Sequence, residues 1–217
     1  MSRNFRARYY DLFAHFYDGF VALHASDRSV RLRGYLADRT GLRGGDAVLD
    51  LCTGTGAMLP SLHERVGAEG RVFGLDFSKG MLRKAKFKLG ATTNLSLVQA
   101  DAAHLPFKGD VFDVVTCSHA FYELKGKAVR RCLQEVSRVV KPSGCFVMME
   151  HDVPRNGFIR MLFYIRIVSM GFRKALEVLR NEEALFREHF GSVERRGVET
   201  GRSKILVGKK AGIGEAK

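Results

Sequence analysis

The sequence predicts an α/β protein built on a mostly parallel sheet that ends in an antiparallel β-hairpin. Three observations carry this reading. From about residue 46, short β-branched runs alternate with segments of helical periodicity. The runs at 46–51, 71–76, 95–100, 112–118 and 145–150 are rich in Val, Leu or Phe and bounded by Gly, Asp or Pro. Two final runs, 192–199 and 204–209, flank the turn-prone Thr200-Gly201-Arg202-Ser203. Short, continuous apolar runs read as strands buried on both faces. Strands that alternate with helices imply a parallel sheet with right-handed crossovers.

Each helical element follows from spacing. Two helices are expected before the first strand: an aromatic-rich one over 5–23 and a second over 27–39, capped by Ser26 or Asp27. Between strands the pattern places helices at 58–66, 79–89 and 127–140. In the last, Val129, Cys132, Leu133, Val136, Val139 and Val140 recur at helical spacing, and Lys141-Pro142-Ser143-Gly144 stops it. A long helical insert follows the fifth strand, about 158–189, with a break near Gly171. A chain of 217 residues fits one domain, 1–217, with a helical cap at 1–40 and the insert at 152–190.

Composition removes several classes. At 46% hydrophobic and 27% charged, the chain buries a core, which excludes disordered and fibrous proteins. The net charge of +13 attracts anions such as nucleic acid, anionic lipid or phosphate, without choosing among them. No apolar run reaches the ~18 residues of a membrane-spanning helix. The most apolar stretch, 158–172, is interrupted by Arg160 and Arg166. The first residues lack the apolar core of a secretory signal. Cys52, Cys117, Cys132 and Cys145 lie far apart, with no Cys-x-x-Cys pair and no His at zinc-ligand spacing. Reduced, mostly buried thiols, no bound metal and a cytoplasmic location are expected.

Ligands of such sheets sit at the carboxyl ends of the strands. The first strand runs into Leu51-Cys52-Thr53-Gly54-Thr55-Gly56, where glycines let the backbone turn tightly against a ligand. The same pattern also serves an ordinary strand-to-helix turn. The second strand ends in Asp76, suited to accept hydrogen bonds from both ribose hydroxyls or to cap the helix after it. The third ends in Asp101-Ala102, placed for an adenine edge or an Asx turn. Three polar ends on consecutive strands favour an adenosyl ligand. A dinucleotide would want a third glycine where Leu59 stands, and a leucine there obstructs the approach of the pyrophosphate.

These residues resemble the class I S-adenosylmethionine-dependent methyltransferases. Residues 48–56 are similar to the first motif of that family. Leu75-Asp76-Phe77-Ser78-Lys79-Gly80-Met81-Leu82 is similar to its acidic loop, and 99–107 to its adenine loop. Phe112-Asp113-Val114-Val115 and 133–144 match later motifs in order. The resemblance spans roughly residues 40–150 and is nearest to the ubiquinone/menaquinone-biosynthesis C-methyltransferase group. That group tolerates a small residue other than glycine where Cys52 stands here. The loop after strand four departs from it, reading Ser118-His119-Ala120-Phe121-Tyr122-Glu123-Leu124 rather than Gly-Leu-Arg-Asn.

The resemblance implies a Rossmann-like three-layer sandwich with a seven-stranded, mostly parallel sheet. It implies S-adenosyl-L-methionine as cofactor and S-adenosyl-L-homocysteine as product. Position by position, Thr53, Gly54, Thr55 and Gly56 would approach the methionyl portion, with Asp50 beneath the loop. Asp76 would hold the ribose, and Phe77 and Met81 would line the adenine. Asp101 and Ala102 would contact the base, Ser118 would lie near the sulfonium, and Tyr17 would close over the cofactor.

Methyl transfer needs chiefly a positioned nucleophile, and a base only where the acceptor loses a proton. His119 is the best-placed base, with Tyr122 in the same loop and His151 as a second candidate; a hydrogen-bonded structural histidine is the alternative for His119. The acid-free, apolar and basic insert suits a small hydrophobic acceptor, quinone-precursor-like or lipid-like, and peripheral contact with an anionic membrane. A buried helix whose arginines reach water gives the same pattern. Nucleic acid is the rival acceptor. It is disfavoured because the loop after strand four holds no Asn/Asp-Pro-Pro-Tyr/Phe sequence and Cys117 follows Thr116 rather than a proline. A cofactor-binding protein without catalysis is the third reading. Oligomeric state stays open.

Overall fold

The structure, a computed structural model, describes residues 26–90, 92–124, 126–153, 156–158, 160–161, 164, 175–198 and 203–210. Tyr17, the helix expected over 5–23, the break near Gly171 and the turn before Ser203 lie outside the described residues. The elements are α1 (Ser26–Asp38), β1 (Ala47–Leu51), α2 (Leu59–Val66), β2 (Arg71–Asp76), α3 (Lys79–Leu89) and β3 (Leu95–Gln99). They continue with β4 (Phe112–Ser118), a 3₁₀ turn at Phe121–Glu123, α4 (Lys127–Val139), β5 (Val140–His151), α5 (Ala175–Arg187), β6 (Ser192–Gly197) and β7 (Ser203–Lys209).

Seven strands form one sheet in the order β3-β2-β1-β4-β5-β7-β6. Strands β1 to β5 pair in parallel, and β7 is antiparallel to both β5 and β6. The sheet starts at β1, winds outward to β3, then returns to the other side of β1 as β4. That reversal opens a crevice at the carboxyl ends of β1 and β4, where α/β sheets bind ligands.

Side chains alternate across the sheet, so each strand feeds two cores. On one face, Leu49, Val115, Phe146, Met148 and Leu206 pack against Leu133 and Val136 of α4 and Phe186 of α5. On the other, Val48, Val114, Val147, Met149 and Ile205 pack against Leu36 of α1 and Leu59, Leu62 and Val66 of α2. The helices on both faces make the three layers that the sequence predicts. Rings anchor the first core: Phe146 stacks on Phe186 at 5.1 Å between centroids, and Phe121 meets Phe186 edge-on at 6.1 Å.

Strand β5 is longer than its apolar run. Helix α4 ends at Val139 and the chain enters the strand at once, with Val140 opposite Phe112. The register then shifts before Cys145 pairs with Val114, so 141–144 form an irregularity rather than a separating loop. Gly144 is required there, because a Cβ would lie 2.6 Å from the Asp113 carbonyl oxygen. The Asp113 carboxylate pins the same corner, accepting from the Ala47 amide at 2.9 Å and the Lys141 ammonium at 2.8 Å.

Phe146→Ala removes the ring at the centre of this cluster. It should cost about 3–5 kcal/mol of unfolding free energy, read by urea denaturation. A loss below about 1 kcal/mol would contradict the packing described.

Candidate cofactor and acceptor site

Three residues at the end of β1 adopt positive φ: Cys52 at 53°, Gly54 at 57° and Gly56 at 75°. Left-handed backbone suits glycine and strains Cys52, so the turn is held from outside. The Thr53 amide donates to the Leu75 carbonyl at 3.0 Å, and the Gly56 amide to the Thr53 carbonyl at 3.0 Å. Beneath the loop, Asp50 is 2% exposed and accepts from the Thr53 hydroxyl at 2.6 Å and the Thr116 hydroxyl at 2.7 Å. Burial raises its carboxyl from 3.8 to about 6, against the pull of the two hydroxyls. Asp50 therefore joins the β1 loop to β4 and shapes the loop from below.

The next strand end closes on the same loop. One Asp76 oxygen accepts from the Gly54 amide at 2.9 Å and the other from the Ser78 amide at 2.9 Å. Ser78, rather than Asp76, caps α3: its hydroxyl accepts from the Met81 amide at 3.2 Å. Thr55 accepts from the Lys88 ammonium at 3.0 Å. Gly56 is tight, since a Cβ would meet Ala85 Cβ at 3.0 Å and Leu59 Cδ1 at 3.3 Å. A Cβ on Gly54, by contrast, would have nothing within 4 Å among the described residues, which leave the space over the turn open. Beyond β3, Asp101 accepts from the Ala103 amide at 3.0 Å in an Asx turn, and Ala102 is buried. Phe77 follows Asp76 half-buried, its carbonyl accepting from the Gln99 side chain at 3.2 Å.

Ser118 and His119 stand at the end of β4. The His119 backbone lies at φ 51°, held by a 2.8 Å bond from its amide to the Met149 carbonyl. Its ring nitrogens face hydroxyls: Nδ1 and Ser118 Oγ at 3.3 Å, Nε2 and Ser203 Oγ at 3.1 Å. The ring lies 4.7 Å from that of His151, which in turn meets Tyr122 edge-on at 5.5 Å. Burial, then His151 and Arg33, lower the His119 imidazole to about 3. The ring is therefore neutral near pH 7, able to accept or donate one hydrogen bond and weak as a base.

Of the cofactor-side residues expected from sequence, Thr53, Gly54, Thr55, Gly56, Phe77, Asp101 and Ala102 lie on loops after β1, β2 and β3; Asp50, Asp76 and Ser118 lie at the ends of β1, β2 and β4, and Met81 lies in the first turn of α3. Tyr17 falls outside the described residues. Glu150 was not singled out by sequence. It is fully buried, accepts from the Tyr122 amide at 3.3 Å and the His151 amide at 2.9 Å, and is held well above the carboxylate range by burial. An acid closing the apolar run Val147-Met148-Met149 was the available signal. Cys117 is a free, buried thiol, held well above its usual range by a hydrogen bond with Cys52 and by burial, which disfavours the thiolate a nucleophile needs.

Asp50 gives this site a pH signature. Its folded pKa exceeds the unfolded one, so its contribution to stability is present below about pH 4 and lost as pH rises through about 6. Asp50→Asn removes that loss. Between pH 4 and pH 7 the variant should gain on the order of 2–3 kcal/mol relative to the parent, read by urea denaturation at each pH. A difference independent of pH would contradict the burial described.

Residues 48–144 match the family described as "Methyltransferase domain". The chain is 36% identical over 136 residues to a demethylmenaquinone methyltransferase of Staphylococcus aureus, a match covering 62% of this chain and 56% of that protein. The chain thus spans little more than half the length of the curated relatives it matches. A methyltransferase of Haloferax volcanii, solved in complex with the activator Trm112, superposes with a TM-score of 0.72 at 22% identity, over 92% of this chain and 96% of that one. An S-adenosylmethionine-dependent methyltransferase of Aquifex aeolicus superposes with a TM-score of 0.68 at 20% identity, over 91% and 97% of the two chains. The fold is that of S-adenosylmethionine-dependent methyltransferases of known structure, and the matched segment resembles a methyltransferase domain.

Proposed function

We propose that this chain transfers the methyl group of S-adenosylmethionine to a small hydrophobic acceptor. The observation that carries the reading is the strand-end edge itself. Space over Gly54, open among the described residues, adjoins the carboxylate of Asp76, with Asp101 beyond the neighbouring strand and Ser118 across the crevice. Each Asp76 oxygen accepts from one backbone amide, and a carboxylate at the end of β2 is the type of acceptor that ribose hydroxyls require. Phe77 and Met81 supply apolar surface for the adenine, and Asp101 and Ala102 its polar edge. Tyr17 is proposed to close over the cofactor.

The cofactor supplies a methyl group already activated by positive sulfur. An acceptor electron pair forms the new bond to carbon while the carbon–sulfur bond breaks, leaving S-adenosylhomocysteine as a neutral thioether. The chain's task is to align the acceptor at the end of β4 and to keep water away. His119 and Tyr122 are placed for this. A neutral His119 suits orienting a phenolic hydroxyl, exchanging its Ser118 or Ser203 contact for the acceptor. It also suits taking the acidic proton that a ring carbon sheds after it is methylated, which needs only a weak base.

The likeness to a demethylmenaquinone methyltransferase supports a quinone-precursor-like acceptor, and a lipid-like one is the close variant. Among the described residues of the insert, Phe158 is 67% exposed and Met161 48% exposed beside the exposed Arg160. Apolar side chains next to a cation suit peripheral contact with an anionic membrane from the cytoplasmic side. No helix among the described residues is long and apolar enough to cross a membrane.

A methyl-transfer screen with cofactor labelled in its methyl group tests the reading against lipid, quinone, RNA and small-metabolite fractions. Label should enter the quinone or lipid fraction. Label confined to RNA would replace the acceptor proposed, and no transfer to any fraction would leave a binding protein. In the same assay His119→Ala should lower turnover about 10²-fold while leaving cofactor affinity unchanged. The parent's rate should show no inflection near pH 6.5 from this histidine, because its ring titrates near 3.

A further inference from the structure

One margin of the molecule carries cations and no acid. From Phe77 to Ala100, through α3 and β3, the chain holds Lys79, Arg83, Lys84, Lys86 and Lys88 without a single Asp or Glu. Strand β3 is the terminal strand of the sheet, and α3 packs against β2 and β3, so this stretch forms its outer edge. Met81, Leu82 and Ala85 of α3 turn inward. Lys79, Arg83, Lys86 and Phe87 stand at i, i+4, i+7 and i+8, which share one face of a helix, and all four are exposed. None of these three cations forms an ion pair among the described residues. Lys88 points elsewhere and donates to Thr55 of the loop after β1.

Phe87 is the residue that needs a reason. It is 91% exposed, more than any other large apolar side chain among the described residues. The helix is complete without it: Ser78 caps the start, Met81, Leu82 and Ala85 supply the buried face, and Gly90 ends it. A lone exposed apolar residue is ordinary on a mixed surface. This one is flanked by Lys86 and Lys88, stands one turn from Arg83, and lies at the centre of an acid-free margin. The combination suits a partner that is anionic outside and apolar just beneath. Single-stranded nucleic acid is a poorer fit, since it is held in grooves where several rings stack on successive bases. A lone ring on the convex side of an edge helix offers no groove. A bilayer surface is flat and anionic, and it takes a ring below its headgroups while Lys and Arg stems reach the phosphates.

We propose that the exposed face of α3 is a docking surface for an anionic phospholipid membrane. Phe87 enters the boundary between headgroups and acyl chains, and Lys79, Arg83 and Lys86 meet the lipid phosphates. The surface lies on a different element from the insert at 158–161, and it does not depend on which acceptor is methylated. The cations draw the chain to the membrane and weaken with salt, whereas the ring holds it there and does not.

The chain contains no tryptophan, so Phe87→Trp gives a single fluorescent reporter at the proposed contact. With vesicles of equimolar phosphatidylcholine and phosphatidylglycerol, its emission should move to shorter wavelength and be quenched by lipids brominated on their acyl chains. Vesicles of phosphatidylcholine alone should leave it unchanged. In co-sedimentation with the anionic vesicles, Phe87→Ser should weaken binding by the full chain about tenfold. The double variant Arg83→Gln/Lys86→Gln should weaken it about thirtyfold, and raising salt to ~0.5 M should release most of the parent. Melting temperature should stay that of the parent in each variant, because these side chains stand outside the core. An emission spectrum that anionic vesicles do not move overturns the proposal. So does binding that neither variant weakens, which would leave any membrane contact to other residues. A reporter shifted by a single-stranded oligouridylate and not by vesicles makes the partner a nucleic acid and overturns it as well.

Discussion

The buried carboxylate of Asp50 is the joint on which the strand-end edge depends. It is the penultimate residue of β1 and takes one hydroxyl from the loop that follows, Thr53, and one from the neighbouring strand, Thr116. Those two bonds set the height and direction of a turn that passes through left-handed backbone at Cys52, Gly54 and Gly56. Because the turn is fixed, the Gly54 amide points at Asp76, and Asp76 in turn orders the Ser78 amide that begins α3. One desolvated acid thus aligns two loops and a helix start. Satisfied polar contacts in a low-dielectric interior rigidify in this way, and a partly satisfied set would not.

The acceptor side is built on a different principle. His119, Tyr122, His151 and Ser203 come from three separate stretches of chain, the first three brought together by the pairing of β4 with β5 and the last by the return of β7 beside β5. Their ring contacts and hydroxyl bonds place a neutral imidazole at the end of β4. Glu150 lies beneath, holding the Tyr122 and His151 amides. A surface of net charge +13 surrounds this arrangement, yet the charges that shape it are buried acids. The basic residues act at longer range, on what approaches the molecule.

Much of the cofactor edge was legible in the sequence because its signals are local. A glycine turn after an apolar strand, and acids closing the next two strands, stand within a few residues of the groups they serve. The mostly parallel sheet was equally readable from alternation. What escaped depends on distance along the chain. Strand β5 begins at Val140 because its partner Phe112 lies across the sheet, so the apolar run from Cys145 marks only its regular part. The partner of His119 is 84 residues away, and Lys204 meets Glu182 through the folding of α5 onto β7. Of the two roles the sequence left open for Asp76, ribose acceptor or cap of α3, the cap falls to Ser78, and Asp76 bridges the two loops.

The central claim is that the edge formed by Gly54, Asp76, Asp101 and Ser118 receives an adenosyl cofactor. Calorimetric titration of the chain with S-adenosylhomocysteine measures this without any knowledge of the acceptor. The account predicts one saturable site per chain, with affinity falling by at least tenfold in Asp76→Ala as the ribose hydroxyls lose their acceptor. No heat of binding at millimolar ligand, or an affinity unchanged by Asp76→Ala, would contradict it.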